Sequence, residues 1–141
     1  MRNFTKFLAI IFIIAAGTAF AQDSDKHSGK KVYKAFAEPD GLQRVNIVSG
    51  EYFFDPDHII VKVGLPVEIH IKKEAGITPH NIIINAPEAG IEVRENLSTE
   101  PVIIKFTPKK TGKYPFYCDK KLLFFKSHKE RGMEGIIEVI E

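Results

Sequence analysis

Only one cysteine, Cys118, occurs in the 141 residues, so no internal disulfide can staple the chain. An excess of one charge is also missing. Lys and Arg total 20 against 18 Asp and Glu, and two of the bases, Arg2 and Lys6, lie in the first 21 residues. Without that segment 18 of each sign remain, a balance that gives poor support for binding a polyphosphate backbone; no nucleic acid is expected as a partner. No apolar run is long enough to span a bilayer comfortably: Phe7–Ala21 is uncharged but short of the ~20 residues a span needs. The chain has no His-x-His or His-x3-His pair, no phosphate-cradling Gly loop and no nucleophile–base pair. Hydrolytic or multicopper chemistry is therefore not expected, and the chain is read as a non-enzyme.

What is present begins with a leader. Arg2 and Lys6 precede the apolar stretch Phe7–Ala16, and Ala19-Phe20-Ala21 fits a small-x-small cleavage site. Residues 1–21 read as a signal peptide, which predicts a periplasmic or secreted protein with no membrane anchor after cleavage. An exported thiol with no disulfide partner is a ligand, a reactive group or a deeply buried small residue, and the cysteine count leaves all three open. Residues 22–44 are polar and read as an arm or linker with at most one short strand. From Val45 to Glu141 short β-type runs follow one another: Val45–Val48, Tyr52–Phe54, Ile59–Val63, Val67–Ile71, Ile82–Ile84, Val102–Phe106, Lys113–Tyr117 and Ile136–Ile140. Alternation is clean where Val67, Ile69 and Ile71 oppose Glu68, His70 and Lys72. Ala86–Thr99 shows no strong period and reads as a loop with room for one helical turn. Regularly spaced short strands predict an all-β sandwich of one domain.

The last third of the chain carries the chemistry. Cys118 follows an aromatic strand, His128 and Met133 follow it, and His80 opens an apolar strand upstream after Pro79. A thiolate, two imidazoles and a thioether are the donor set that suits copper in both oxidation states, with soft sulfur for Cu(I) and imidazole for either. Each residue alone has a plainer reading: His80 as a strand-edge histidine, Cys118 as a buried structural thiol, His128 as a solvent-exposed loop residue, Met133 as core filler. Convergence of four donors of three types weighs against those readings taken together. Asn81 has an amide able to reach the loop that carries Cys118 and orient the ligands. His27, His58 and His70 are read as bland, in the arm, in a turn and on an outward strand face.

Four pieces of the sequence resemble one family. Phe54-Asp-Pro-x-x-Ile59-x-Val61-x-x-Gly64-x-x-Val67 looks like the opening strands of bacterial cupredoxins, and Thr78-Pro-His80-Asn81 resembles the segment that brings the first copper histidine in plastocyanin-like proteins. Gly112-Lys-Tyr-Pro-Phe-Tyr-Cys118 resembles the strand that delivers the copper cysteine, and His128-x4-Met133-x-Gly135 resembles the end of that site. The resemblance covers Phe54–Glu141 and implies a cupredoxin-like Greek-key sandwich of seven or eight strands. It further implies one copper ion held by His80, Cys118, His128 and Met133, with Asn81 tying the two ligand-bearing segments together. One departure is clear: nine residues separate Cys118 from His128, where plastocyanin-like proteins have only a few. Leu122 stands about where the second cysteine of a binuclear copper loop would be, so one ion is expected.

Within the insertion, Leu122-Leu123-Phe124-Phe125 either folds in as extra core or a short helix, or stands out as a docking patch rimmed by Lys120, Lys121, Lys126 and Lys129. The leading expectation is a monomeric periplasmic electron carrier cycling between Cu(II) and Cu(I). In it His128 is the solvent-side electron exit, Met133 the axial donor and the patch the surface for a redox partner. A copper-delivery protein with the same ligands, and a metal-free sandwich that binds a partner through Leu122–Phe125, are the alternatives.

Overall fold

Alternating apolar residues and frequent turn signals produce two stacked sheets. The computed structural model describes residues 30–141 and contains ten strands: β1 (Val32–Lys34), β2 (Gln43–Gly50), β3 (Phe53–Asp55), β4 (His58–Lys62), β5 (Val67–Lys73), β6 (His80–Ala86), β7 (Ile91–Leu97), β8 (Val102–Phe106), β9 (Gly112–Tyr117) and β10 (Glu134–Ile140). One sheet has the order β1-β4-β10-β9-β6-β7 and the other β3-β2-β5-β8. The chain crosses between sheets four times between β4 and β9, so β2·β5 and β4·β10 pair in parallel while most other neighbours are antiparallel. The inner faces meet in a core that includes Val45, Ile47, Ile59, Ile69, Ile71, Ile82, Ile84, Phe116 and Ile137, all almost fully buried. Each such side chain contributes roughly 1.5–3 kcal/mol of apolar burial. The fold is a cupredoxin-like β-sandwich.

Two strands go beyond the eight read from the sequence. β1 lies inside the polar stretch read as an arm, pairs in parallel with β4, and is followed by Ala35 in the core. β7 corrects the reading of Ala86–Thr99 as a loop. Only its short opening is helical, a 3-10 turn at Pro87–Ala89 closed by Gly90 in the left-handed conformation (φ 72°). The sequence marks this strand poorly because Ile91 and Leu97 are its only buried residues, and exposed Glu95 breaks the alternation between them. Such a pattern belongs to a sheet edge, where pairing with one neighbour and partial burial suffice. β7 covers β6, whose seven residues are all buried except Asn85. The leader and His27 lie outside the described residues. Among the described residues no helix is long and apolar enough to cross a membrane.

Candidate metal centre

Two rigid strands and one loop deliver the donor residues. His80 is the first residue of β6, and Cys118 directly follows β9. β6 and β9 pair antiparallel at Ile83–Tyr117 and Ile84–Phe116, which brings the start of one strand beside the end of the other. His128 lies at the head of a 3-10 turn, Lys129–Arg131, that Gly132 closes at φ 95°. Backbone bonds pin this turn to the strand: His128 N–H donates to the Lys120 carbonyl at 2.8 Å and Lys129 N–H to the Cys118 carbonyl at 3.0 Å.

The three side chains converge. His80 Nδ1 and His128 Nδ1 are 3.1 Å apart, and Cys118 Sγ lies 3.4 Å from His128 Nδ1. One ligand atom from each residue falls within 4.8 Å of the others, and all three residues are buried. Among the described residues no other group of three His, Cys, Asp or Glu does this. Metal–imidazole bonds of about 2.0 Å and metal–thiolate bonds of about 2.3 Å place ligand atoms ~3–4 Å apart around one ion, so the spacing fits a shared metal. Two Nδ1 lone pairs facing each other at 3.1 Å repel unless a proton or a cation stands between them.

Electrostatics point the same way. Burial, and then the neighbouring His128 and Lys73, push the His80 imidazole down to about 4. Burial followed by Arg131 lowers His128, while Glu51 opposes the shift. Both rings are therefore held neutral, the form that binds metal. Burial raises the Cys118 thiol; hydrogen bonds from the Asn81 and Lys120 backbone pull the other way. The protein without metal accordingly loses stability as pH falls from 6.5 toward about 4, because His80 in the unfolded chain takes up a proton that the folded site refuses. Urea midpoints across that range should show the slope, and His80→Phe should flatten it.

Asn81 links the two segments. Its backbone N–H donates to Cys118 Sγ at 3.4 Å, its side-chain Nδ2 donates to Asp119 Oδ1 at 2.7 Å, and its Oδ1 accepts from the Asp119 N–H at 3.1 Å. Arg94 on β7 holds the other Asp119 oxygen at 2.9 Å. Sequence reasoning misses both Asp119 and Arg94; no local motif marks the latter, which depends on a strand contact 25 residues distant.

Met133 is fully buried and its backbone is shared with the site. Its N–H donates to the His128 carbonyl at 2.9 Å and its carbonyl accepts from the Cys118 N–H at 3.1 Å. One expectation is corrected: His128 does not face solvent. It is 4% exposed, because the Tyr52 ring packs edge-on against it at 5.1 Å and Arg131 in turn covers Tyr52 at 4.6 Å. Leu122 and Phe125 lean over the same spot, lining a cavity of about 210 Å³ with Tyr52 and His128. Of the two fates left open for the insertion, folding in as core is ruled out: Leu122, Leu123, Phe124 and Phe125 are 65%, 72%, 101% and 60% exposed. The other described histidines stay out of the site: His58 pairs with Glu138 at 2.8 Å and His70 with Glu68 at 3.4 Å.

Comparison with known proteins places the fold. The Cupredoxin-like domain family matches residues 7–132. No curated protein sequence matches the chain. Among solved structures, the metal-binding domain of the Streptococcus pneumoniae Cu(I)-exporting P-type ATPase CopA, determined with Cu(I), is similar at 23% identity and TM-score 0.61, over 80% of this chain and 99% of that one. A copper-binding protein in its apo form is similar at 22% identity and TM-score 0.57, over 79% and 100%. Dithionite-reduced auracyanin from the photosynthetic bacterium Roseiflexus castenholzii is similar at 21% identity and TM-score 0.55, over 70% and 97%. A two-sheet sandwich carrying a buried His-Cys-His cluster, matched by one family over most of its length, has a definite place: this chain belongs to the cupredoxin-like domain family.

Proposed function

We propose that the protein is an exported carrier of single electrons that uses one copper ion. The observation behind this reading is the convergence of His80 Nδ1, His128 Nδ1 and Cys118 Sγ in one buried pocket. His80, Cys118 and His128 would hold the ion, with the Met133 thioether as a fourth donor; bound copper would supply exchange between Cu(II) and Cu(I). The chain's own contribution is rigidity. Strand-borne His80 and Cys118, tied through Asn81 and Asp119, keep their places whichever charge the site carries, and small rearrangement favours fast electron exchange. Burial of all three residues limits access of water and other ligands. The leader read at residues 1–21 supports a periplasmic or secreted location.

Delivery of copper is the second reading, favoured by the long loop between Cys118 and His128 and by the similarity to a domain of a Cu(I)-exporting ATPase. Adding Cu(II) and recording the visible thiolate-to-copper charge-transfer band tests binding, and electron self-exchange rates then separate the readings. Fast exchange supports the carrier; slow exchange with ready transfer of copper to an acceptor supports delivery. His128→Ala should remove or strongly shift the band, and its persistence would mean that the loop supplies another ligand.

Since burial keeps the Cys118 thiol protonated near neutral pH, copper uptake should release about one proton. Affinity should therefore rise about tenfold per pH unit until the thiol ionises on its own. Chelator competition between pH 6 and 8 measures this, and a flat profile would show that the thiol is already ionised in the apo protein.

A further inference from the structure

The insertion ends in a turn that ordinary folding does not explain. Phe125 N–H donates to the Leu122 carbonyl at 3.0 Å, closing a tight turn with Leu123 and Phe124 at its tip. Leu123 has φ 48°, in the left-handed region that costs a branched side chain energy and that turns normally fill with Gly or Asn. The turn thus combines backbone strain with four large apolar side chains in water, Phe124 wholly so at 101% exposure. Packing within the chain recovers only part of this: Leu122 and Phe125 lie beside Tyr52 and His128, while Leu123 and Phe124 stay 72% and 101% exposed.

Charge indicates what would recover them. Between residues 119 and 131 stand Lys120, Lys121, Lys126, Lys129 and Arg131, on both sides of the apolar tip. The acids in that stretch are already engaged: Asp119 with Arg94 and Asn81, and Glu130 with the backbone and hydroxyl of Ser127. A convex apolar wedge with cations on both flanks fits a lipid interface. Leu and Phe enter the headgroup–acyl boundary, while lysine stems lie along apolar surface and their ammonium groups reach lipid phosphates. A protein partner would instead have to offer a deep pocket for the tip.

We propose that Leu122–Phe125 is a membrane-docking tip that inserts into anionic bilayer surfaces and turns the His80–Cys118–His128 site toward the membrane. The tip is anchored to the site by the His128–Lys120 backbone bond, so docking orients the centre rather than merely tethering the protein. Docking does not depend on the copper reading, and the two fail separately.

The test uses vesicles of phosphatidylglycerol with phosphatidylcholine, against phosphatidylcholine alone, and the exported protein without its leader. Wild type and the Leu123→Asp/Phe124→Asp variant are compared in that form, so the apolar stretch Phe7–Ala16 cannot insert in place of the tip. Wild type should float with anionic vesicles and less with neutral ones, and high salt should weaken binding. The double variant should lose at least tenfold in binding while its Cu(II) band stays unchanged. Because the chain has no tryptophan, Phe124→Trp gives a single indole whose emission should shift to the blue on anionic vesicles. Equal binding by wild type and double variant, or an unshifted indole, overturns the proposal. So does a solution dimer that the double variant dissolves, or a tip that ignores vesicles yet governs electron exchange with an acidic redox protein; these assign the tip to a second copy and to a protein partner.

Discussion

Cys118→Ser should leave a folded protein that stays colourless in Cu(II). The intense visible band requires a thiolate on copper, and this is the chain's only sulfur of that kind. Folding should survive, because the Asn81 N–H that now donates to Sγ can donate to a hydroxyl in the same place, and His128 Nδ1 remains a partner for it. Copper affinity should fall on the order of a thousandfold, about 4 kcal/mol, since a neutral hydroxyl replaces a soft anionic donor. Thermal stability reports the same loss. Copper at about 1,000 times its dissociation constant adds about 4 kcal/mol to the folded state, and the variant should show almost none of it. An intense band in the variant, or an undiminished copper-induced rise in Tm, would remove Cys118 from the site.

How far the molecule is legible in its sequence depends on burial. β5 alternates because one of its faces meets the core, whereas Ile82–Ile84 within β6 form an unbroken apolar run because all three are buried. β7 stays hidden because an edge strand needs few buried residues, and here exposed Glu95 interrupts the face shared by Ile91, Val93 and Leu97. His80, Cys118 and His128 can be grouped from the sequence because a lone thiol, two imidazoles and a thioether rarely occur together except as soft-metal donors, and the structure does bring the first three together. Tyr52 cannot be found that way. It covers His128 from 76 residues upstream and adopts φ 66°, and neither its type nor its spacing announces a role beside the centre. The burial of His128 follows from that contact, so a sequence placing His128 in a polar loop points to solvent for a sound but insufficient reason. The same limit applies to Leu122–Phe125, where composition allows core or surface equally.

Gly135→Ala should cost about 3 kcal/mol, near the top of the range for overpacking, and lower Tm by roughly 10–20 °C. Gly132 and Gly135 flank Met133 and differ in what they do. Gly132 turns the backbone, at φ 95° with nothing within 4 Å of where a Cβ would stand. Gly135 lies within β10, directly across from Phe116 on β9. A Cβ there would meet the Phe116 ring at 2.3 Å and the Asp57 carbonyl oxygen at 2.4 Å. Neither can yield cheaply. Phe116 is fully buried and packed edge-on against Phe54 at 5.2 Å, and the Asp57 carbonyl accepts from the Ile136 N–H at 2.8 Å. Relief must come from separating β9 from β10, and those strands lead directly into Cys118 and out of Met133. The charge-transfer band should therefore weaken or shift along with the loss of stability, whereas Gly132→Asn, in open space and a conformation Asn tolerates, should change both little. A Gly135→Ala protein as stable as wild type, with an unaltered band, would mean that the contact between β9 and β10 does not set the geometry of the site.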